Sequence, residues 1–414
     1  MWGEPVAKPA VTDDDPSLTD AVRGPLDVTI LMPCLDERIT LPACLDTAEE
    51  AVRQLEERGL SAEILISDNG SVDGSQAYAR SRGCRVTECA TRGYGAALIH
   101  GIRESRGRFI VMGDSDASYD FREGVPMVAK LAEGYDLCMG NRFTGRIVPG
   151  AMPPLNRYLG NPALSGVLNL FFRSGVGDAH SGLRAFRRDA ALDLQLVSHG
   201  MEFASELVVK AALKGLKMTE VPITLHPDGR DRKPHLRPWR DGWRHLRFLL
   251  ALSPRWLFII PSLVLIGLAV LVAVVLFRTP PHDVAHFGRF WIGDHWLIAA
   301  GAMFQLGISG LTLGTIARVW ASKRGFVGRT RQLDRWVLAI RDDKAVLTGA
   351  LLAAVGLIVL GGVAFDFLRG GFGPGGRIRE MVLGTALLVG GIQVIFASFV
   401  VSLIDDELPP RSGA

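Results

Sequence analysis

Asp114 and Asp116 stand directly after an uncharged run of residues that begins at Phe109 and ends at Gly113. Such a run is typical of a strand that is buried on both faces of a sheet. In open α/β sheets, ligands bind beyond the carboxyl ends of the strands, which is where these two side chains would lie. The two carboxylates can share a divalent cation that also holds phosphates, although Asp-x-Asp alone is equally compatible with a polar turn.

Two earlier strand-like segments also end in acidic residues. Residues 28–33 lead to Glu37, and residues 63–67 lead to Asp68. The carboxyl ends of parallel strands gather at one edge of a sheet. Carboxylates at that edge suit a nucleotide whose ribose and base take hydrogen bonds and whose diphosphate is held by a metal. The sequence has no G-x-x-x-x-G-K-[ST] and no G-x-G-x-x-G after its first strand, so a P-loop and a dinucleotide site are disfavoured.

The elements that would position these residues alternate between strands and helices. Strand patterns cover residues 28–33, 63–67, 85–87 and the run from Phe109, and helical patterns cover residues 40–58 and 93–106. This alternation predicts an α/β fold with a mostly parallel sheet. Residues 221–225 are predicted to form an edge strand because they include Pro222.

Charge and cysteine content limit the classes of function. The net charge is +3, which is too small to suggest a nucleic-acid partner. The five cysteines contain no C-x-x-C pair, which favours reduced thiols over a disulfide or zinc framework. Residues 1–25 are rich in Asp and Pro and lack an apolar core, so we expect a disordered tail and no signal peptide. Residues 405–414 would form a C-terminal tail.

Six motifs occur in a fixed order along the first half of the chain. They are Pro33-x-x-x-Glu37, Asp68-x-Gly70-Ser71-x-Asp73, Gly93-Tyr94-Gly95-Ala96-Ala97, Asp114-Ser115-Asp116, Gly140-Asn141-Arg142-Phe143 and Asp178-Ala179-His180-Ser181-Gly182-Leu183-Arg184. Together they resemble the family 2 glycosyltransferases of GT-A fold, and among these the dolichyl- or polyprenyl-phosphate sugar synthases. The family more often has alanine at the place of Ser115, serine at the place of Asn141 and asparagine at the place of Asp36.

This resemblance implies a Rossmann-like GT-A domain over residues 26–238. The domain would move a sugar, such as glucose or another hexose, from a nucleotide sugar to a polyprenyl phosphate, with inversion at the sugar carbon. The donor would be a UDP- or GDP-linked sugar, and the metal would be Mg²⁺ or Mn²⁺.

The resemblance also implies roles for individual donor-site residues. Glu37 and Asp68 would bind the nucleoside, Asp114 would lie near the ribose and the metal, and Asp116 would ligate the metal directly. The remaining donor-site positions are Pro33, Gly70, Ser71, Gly95 and Arg230. Arg230 belongs to a basic loop that would close over the diphosphate or, equally, contact anionic lipid headgroups.

The acceptor side begins with an apolar region that arginines interrupt, at residues 141–173. Within it, residues 164–172 are too few to span a bilayer but suit the membrane interface. In the family, arginines at the places of Arg142 and Arg157 bind the lipid phosphate, for which charge-assisted forked hydrogen bonds are suited. The alternative is that these arginines face solvent or phospholipid.

Three acidic residues complete the candidate site. Asp178 would stand in a loop close to the sugar. Glu202 and Glu206 open a predicted helix and lie one turn apart, where an acidic residue of this fold faces the acceptor or the sugar. An exposed carboxylate pair without a catalytic role is the alternative for the two glutamates.

The second half of the chain is predominantly apolar. Uncharged stretches at residues 257–277, 296–317, 345–365 and 381–403 are each close to the ~20 residues that cross a hydrocarbon core. Residues 239–255, just before them, are predicted to form an amphipathic interfacial helix with aromatic anchors and a basic side. We therefore expect an integral membrane protein with four transmembrane helices across residues 256–404.

Loop charge predicts the orientation in the membrane. The connection at residues 318–344 is richer in Lys and Arg than the connections on either side, which predicts that it faces the cytoplasm. The catalytic domain would then also be cytoplasmic, and we expect a bacterial plasma membrane. Gly307, Gly310 and Gly314 share one face of the second span and would allow close helix contact, within one chain or in a homo-oligomer.

Two other functions compete with this prediction. A hydroxyl acceptor, such as a glycolipid or a glycan, would need a general base, which Glu202 or Glu206 could supply. The membrane half could also be a lipid translocator whose soluble domain binds nucleotide as a regulator. The centres of the four spans contain no Asp, Glu, Lys or Arg, which disfavours a translocator.

Overall fold

A computed structural model describes residues 26–230, 238–280, 284–287, 290–323, 343–370 and 377–406. The chain divides into two compact units, and the boundary falls after His245. The predicted tail at residues 1–25, most of the predicted C-terminal tail, residues 231–237 of the basic loop and residues 324–342 of the basic connection lie outside the described residues.

The described residues of the first unit contain a seven-stranded sheet. Its strands are β1 (Val28–Cys34), β2 (Ala62–Asp68), β3 (Arg85–Glu88), β4 (Phe109–Met112), β5 (Leu137–Ile147), β6 (Arg184–Arg187) and β7 (Met218–Leu225). Their order across the sheet is β3-β2-β1-β4-β6-β5-β7. Only β6 runs antiparallel to its neighbours among these strands, so the mostly parallel α/β sheet expected from the sequence is confirmed.

Helices follow most of these strands. They are α1 (Leu41–Glu56), α2 (Ser75–Ser81), α3 (Tyr94–Glu104), α4 (Gly124–Ala132), α5 (Asn161–Phe172), α6 (Arg188–Asp193), α7 (Phe203–Lys214) and α8 (Pro238–Ala251). The predicted helix that was expected to include Glu202 begins at Phe203, because Met201 and Glu202 form a turn.

The core lies between the sheet and its helices. All seven residues of β1 are buried because helices cover both faces of this central strand. In α1, Leu41, Leu45 and Ala48 are buried at a spacing of four and three residues, which turns one apolar face toward the sheet. Burial of this apolar surface is the main source of stability for such a unit.

The strand order brings three acidic loops to one edge of the sheet. β1 lies between β2 and β4, with Cys34 opposite Asp68 and Leu31 opposite Met112. The loops that follow these three strands therefore leave the sheet side by side. β7 lies at one end of the sheet with Pro222 opposite Asn141, so the edge strand expected at residues 221–225 is confirmed.

The described part of the second unit contains four helices that are long and apolar enough to cross a membrane. They are Arg255–Arg278, His295–Ser322, Asp343–Arg369 and Ile378–Ile404. The first consists of a π-helical turn (Arg255–Ile259) and α9 (Ile260–Arg278), and the others belong to α10 (His295–Lys323), α11 (Asp343–Arg369) and α12 (Ile378–Asp406). A short hairpin of β8 (Ala285–Phe287) and β9 (Phe290–Ile292) lies between α9 and α10. The four apolar stretches identified in the sequence therefore each fall within one helix.

The glycine face of α10 packs against the first membrane helix of the same chain. A Cβ at Gly307 would lie 3.0 Å from the carbonyl oxygen of Ser262, and a Cβ at Gly310 would overlap the hydroxyl of Ser262. A Cβ at Gly314 would lie 2.8 Å from the Cβ of Phe258. The three glycines thus allow two antiparallel helices to approach closely within one chain.

Candidate active site

The loop after β2 is built around the carboxylate of Asp68, which is fully buried. Its Oδ2 accepts hydrogen bonds from the backbone N–H groups of Gly70 and Ser71 at 2.8 and 2.9 Å, and from Nε2 of Gln76 at 2.7 Å. Gly70 has a φ of 92°, which a residue with a side chain adopts only with strain. The other oxygen, Oδ1, is buried without a hydrogen-bond partner among the described residues, so it can accept a hydrogen bond from a ligand.

The loop after β1 places Glu37 beside the loop after β4. Glu37 is 5% exposed, and its Oε2 lies 3.0 Å from the hydroxyl of Thr40. The same hydroxyl lies 2.6 Å from the carbonyl oxygen of Ser115, and the hydroxyl of Ser115 donates to the carbonyl oxygen of Pro33 at 2.7 Å. Short hydrogen bonds thus hold the loop after β1, which contains Glu37, against the loop after β4, which contains Ser115.

Asp114 accepts a hydrogen bond from the hydroxyl of Tyr94 at 2.7 Å. Burial, and next the negative charge of Asp116, raise the pKa of the Asp114 carboxyl to about 6. Gly182 packs so close that a Cβ there would overlap Oδ2 of Asp114. Asp114 therefore has no ion-pair partner among the described residues, and a cation would favour its charged form.

The carboxylate of Asp116 faces the loop after β7. Its Oδ1 accepts from the backbone N–H of Ser118 at 3.0 Å, and its Oδ2 lies 3.3 Å from Nη1 of Arg230. The backbone N–H of Gly229 donates to the carbonyl oxygen of Asp116 at 2.9 Å. The loop that carries Arg230 is thereby joined to the Asp-Ser-Asp loop.

Arg230 is the residue on which the acidic groups converge. Its Nη2 lies 2.6 Å from Oε1 of Glu37, and its Nε donates to both carboxylate oxygens of Glu37 at 2.8 and 3.0 Å. Its Nη1 lies 3.3 Å from Asp116 and 3.3 Å from Asp228. These hydrogen bonds and negative charges raise the pKa of the Arg230 guanidinium and so keep it charged.

The donor set suits a hard divalent cation. Asp114 and Asp116 supply carboxylate oxygens, the ligand type that Mg²⁺ and Mn²⁺ prefer. Among the described residues no group of three His, Cys, Asp or Glu side chains is placed to hold a metal on its own. Mg²⁺ is usually bound by one or two carboxylates together with the phosphates of a substrate, and Asp114 and Asp116 are carboxylates that could serve in this way.

Gly95 lies at the start of α3 and is buried against the segment before α7. A Cβ at Gly95 would overlap the carbonyl oxygen of Ser198, and the backbone N–H of Ala96 donates to the carbonyl oxygen of His199 at 3.2 Å. The glycine is therefore needed for a close backbone approach, and its predicted contact with the donor stays a prediction.

Arg142 and Asp178 form a buried ion pair with each other. Nε and Nη2 of Arg142 donate to the two carboxylate oxygens of Asp178 at 2.6 and 2.7 Å, and the two side chains are 8% and 0% exposed. Nη1 of Arg142 lies 3.5 Å from the hydroxyl of Tyr119, which accepts from the backbone N–H of Gly182 at 2.8 Å. The forked geometry predicted for a phosphate contact is here made with a carboxylate.

The glutamates at the start of α7 differ in their surroundings. Glu206 is fully buried, accepts from the backbone N–H groups of Val197 and Ser198 at distances down to 2.8 Å, and lies 2.7 Å from Nζ of Lys210. Glu202 precedes the helix and is half-buried. Of the two glutamates, only Glu202 is therefore exposed to solvent in part.

Arg157 belongs to a separate part of the first unit. It lies in the π-helical turn Asn156–Gly160, with its guanidinium 5.5 Å from the ring of Tyr158. Both residues line a pocket of about 410 Å³ together with Met152 and Pro153. The structure thus brings Glu37 and Asp116 together through Arg230, which contacts both, whereas no contact between described residues joins Arg157 to these three.

Two buried polar networks have no counterpart in the sequence prediction. Glu220 of β7 accepts from Asn141 Nδ2 at 2.9 Å and from the backbone N–H of Asp178 at 3.0 Å. Ser205 Oγ lies 3.2 Å from Nε2 of His180 and 2.8 Å from Nδ1 of His245. In the sequence, the only sign of either network is a polar residue within a mostly apolar element, namely Glu220 in β7 and Ser205 in α7.

Two family models match the chain. Glycosyl transferase family 2 matches residues 29–194, and the glycosyltransferase family 2 C-terminal transmembrane region matches residues 315–405. The low-salt glycan biosynthesis hexosyltransferase Agl6 of Haloferax volcanii is 34% identical over 382 residues, which cover 92% of this chain and 89% of that protein. A dolichyl-phosphate hexose transferase of the same organism is 32% identical over 44% of this chain and 76% of that protein.

A solved structure of glucosyl-3-phosphoglycerate synthase from Mycobacterium tuberculosis, in complex with Mn²⁺, UDP and glucosyl-3-phosphoglycerate, aligns with 60% of this chain and 84% of that chain. Its TM-score is 0.40 and its sequence identity is 20%, so this likeness assigns no residue or ligand. The family matches and the relative that spans nearly the whole chain do carry an assignment. The chain belongs to glycosyltransferase family 2, and it is a membrane glycosyltransferase with a GT-A-like catalytic unit.

Proposed function

We propose that this glycosyltransferase moves a hexose from a nucleotide sugar to a polyprenyl phosphate, with inversion at the sugar carbon, at the cytoplasmic face of the plasma membrane. The observation that carries the proposal is the convergence of Glu37, Asp116 and Asp228 on Arg230 at the carboxyl edge of the sheet. Ligands of open α/β sheets bind at this edge. A site with both acidic and basic groups can hold a nucleoside, a cation and a diphosphate at once.

The proposed donor contacts use hydrogen-bonding groups of Asp68, Glu37 and Arg230. Asp68 offers a buried Oδ1 that can accept a hydrogen bond from the nucleoside. Glu37 offers its carboxylate to the same ligand once Arg230 turns toward the diphosphate. Arginine suits this second role because its planar fork binds phosphate oxygens with two hydrogen bonds.

Asp116 and Asp114 would hold Mg²⁺ or Mn²⁺. The cation would stabilise the negative charge that develops on the departing nucleoside diphosphate. The residues of the chain would then bind and orient the nucleotide sugar. Arg230 would neutralise the diphosphate, and Gly182 leaves room for the Asp114 carboxylate.

The acceptor needs no strong general base, since a polyprenyl phosphate is already an anion at neutral pH. Its oxygen forms the new bond to the sugar carbon as the bond to the diphosphate breaks, which inverts that carbon. The burial of Glu206 and its pairing with Lys210 agree with this, because such a carboxylate is occupied. Catalysis would rest on positioning by arginines such as Arg157 and on electrostatic stabilisation.

The second unit supports a lipid acceptor. Its four apolar helices would keep the enzyme in the bilayer where a polyprenyl chain resides. One relative is named a dolichyl-phosphate hexose transferase, and dolichyl phosphate is a lipid phosphate of this class. The cytoplasmic orientation follows from the basic connection between the second and third helices.

A transfer assay in membranes that contain the full chain tests the proposal. Labelled UDP-glucose, UDP-N-acetyl sugars and GDP-mannose are offered separately with added polyprenyl phosphate and Mg²⁺ or Mn²⁺. We expect one donor to yield a labelled lipid and the Asp116→Ala variant to yield none. Absence of a labelled lipid with every donor, from a folded chain that binds donor, would contradict the proposal.

Glu202 distinguishes a hydroxyl acceptor from a phosphate acceptor. A hydroxyl needs a base, and Glu202 is the one of the two glutamates that is not fully buried. We expect Glu202→Gln to retain most of the activity toward polyprenyl phosphate. A loss of 100-fold or more at neutral pH, in the range that general-base catalysis contributes, would favour a hydroxyl acceptor instead.

A further inference from the structure

Two arginines of the second unit have charges without an acidic partner among the described residues. Arg318 lies near the end of α10, and its Nε is buried with no hydrogen-bond acceptor in the described part of the chain. The guanidinium of Arg255 lies close enough to repel that of Arg318. A buried N–H donor without an acceptor is costly, and a second positive charge increases the cost.

The packing of the two helices explains why these arginines meet. Gly310 of α10 contacts Ser262, and Gly314, one turn later, contacts Phe258, one turn earlier on the partner helix. One further turn along α10 reaches Arg318, and nearly one further turn back along the other helix reaches Arg255. The antiparallel register set by the glycines therefore places both guanidinium groups at the same end of the helix pair.

A hydroxyl lies on the same face of α10. Ser322 is four residues after Arg318, so both side chains project from one side of the helix. The Oγ of Ser322 is also buried without a hydrogen-bond partner among the described residues. Two guanidinium groups and a hydroxyl group thus provide several hydrogen-bond donors at the same end of the helix pair. None of these three side chains carries a negative charge.

This place lies at the depth of lipid headgroups. Arg255 immediately precedes the apolar run at residues 257–277, and Arg318 immediately follows the run at residues 296–317. Trp320, which is 46% exposed, and Trp256 lie beside them in sequence, and tryptophan is enriched at the membrane–water interface. An anion here would be at the surface of the bilayer and next to its apolar chains.

We infer that Arg255, Arg318 and Ser322 bind the phosphate group of a prenyl phosphate, with the prenyl chain in the bilayer. Arginine binds phosphate oxygens through forked, charge-assisted hydrogen bonds, and a serine hydroxyl adds one more donor. A phosphate monoester carries up to two negative charges near neutral pH, which matches two arginines better than the single charge of a phospholipid diester. That this lipid is the acceptor on its way to the catalytic unit rests on the proposed function, whereas the binding itself does not.

Binding of farnesyl phosphate to the purified full chain in detergent tests the site without any sugar donor. Farnesol, which lacks the phosphate, and phosphatidylglycerol, which carries a diester, are the comparison ligands. We expect Arg318→Gln and Arg255→Gln each to weaken farnesyl phosphate binding about tenfold, which corresponds to ~1.4 kcal/mol. Arg278→Gln, an exposed arginine at the other end of α9, is the matched control and should bind as the wild type does.

Arg318→Lys keeps the experiment decisive if the glutamine variant folds poorly. Lysine retains the positive charge but cannot make the two parallel hydrogen bonds of a guanidinium. We therefore expect Arg318→Lys to bind farnesyl phosphate more tightly than Arg318→Gln and less tightly than the wild type. Wild-type affinity in both Arg318→Gln and Arg255→Gln would overturn the site. Equal affinity of phosphatidylglycerol and farnesyl phosphate would overturn the preference for a monoester and identify a general phospholipid site.

Failure of this inference can be told apart from failure of the proposed function. If farnesyl phosphate binds and Arg318→Gln weakens it, but no donor gives transfer, the proposed function fails and the site stands. If transfer occurs and neither arginine variant alters lipid binding or the KM for the acceptor, the site fails and the proposed function stands.

Discussion

Arg230 lies 193 residues from Glu37 in the sequence, yet its Nη2 is 2.6 Å from Oε1 of that carboxylate. The same guanidinium also lies 3.3 Å from Asp116. One arginine therefore neutralises two carboxylates that we propose bind the nucleoside and the metal. Donor binding would exchange these contacts for contacts between Arg230 and the diphosphate.

Arg230→Gln should separate metal affinity from turnover. Without the guanidinium, Asp116 no longer shares its charge with an arginine, so we expect Mn²⁺ to activate at a several-fold lower concentration. The maximal rate should fall at least tenfold because the diphosphate loses a charged contact. A Mn²⁺ titration of the transfer rate measures both effects, with the exposed Arg80→Gln as control. A variant with wild-type rate and metal dependence would refute the role given to Arg230.

Asp178→Asn should destabilise the first unit strongly. The substitution leaves Arg142 as a buried charge without its counter-ion, and breaking a buried pair in this way costs about 3–5 kcal/mol. Thermal unfolding of the full chain in detergent, followed by circular dichroism, should show a clearly lower Tm. Glu133→Gln breaks the exposed pair with Lys130 and should leave the Tm unchanged. Equal Tm values for Asp178→Asn and the wild type would show that this pair does not stabilise the unit.

His180 should make stability depend on pH. Burial, and next the proximity of His245, hold the pKa of His180 well below its usual value of about 6.5. Below pH 6.5 the unfolded chain therefore binds a proton that the folded chain does not, so stability present at higher pH is lost as the pH falls. Through this one residue, the free energy of unfolding falls by an amount that approaches ~1.4 kcal/mol for each pH unit.

Denaturant unfolding of the wild type and of His180→Gln at pH 7.5 and 5.5 measures this effect. Carboxylates affect the stability of both proteins equally. The difference between the two proteins in how their free energy of unfolding changes with pH therefore measures the contribution of His180. We expect the wild type to lose about 1 kcal/mol more than the variant over this range. Parallel pH profiles would mean that His180 is protonated in the folded state as readily as in the unfolded state.

Gly182→Ala should reduce activity more than stability. The added Cβ would overlap Oδ2 of Asp114 and would lie 2.7 Å from Cε2 of Tyr119, so the carboxylate must move. A shift of this size at a proposed metal ligand should lower the transfer rate by about 100-fold. Gly166→Ala in α5 has open space around its Cβ and serves as the control, with activity unchanged. Comparable activity of the two variants would argue against Asp114 as a ligand.

The strands and the acidic edge were predictable because both depend on local patterns. An uncharged run that stops at Asp114, and another that stops near Glu37, identify buried strands and the ends at which ligands bind. The same holds for the four apolar stretches, since length and the absence of charge are sufficient to indicate a membrane span. Pro222 likewise marked an edge strand.

The partners of individual side chains could not be predicted in this way. Glu202 and Glu206 look alike in sequence, but Lys210 and two backbone N–H groups enclose only Glu206. The pairing of Arg142 with Asp178 depends on how β5 meets the loop before β6, which no local pattern encodes. Motif resemblance identified these positions, whereas tertiary packing decides what each side chain contacts.

The most direct test of the proposed reaction compares two acceptors that differ only in the phosphate. Wild-type enzyme, its preferred nucleotide sugar and Mn²⁺ are incubated with a prenyl phosphate or with the corresponding prenyl alcohol. We expect labelled lipid from the phosphate and none above background from the alcohol, because an anionic oxygen attacks without a general base. Transfer to the alcohol at an equal or higher rate would contradict a lipid phosphate as the acceptor.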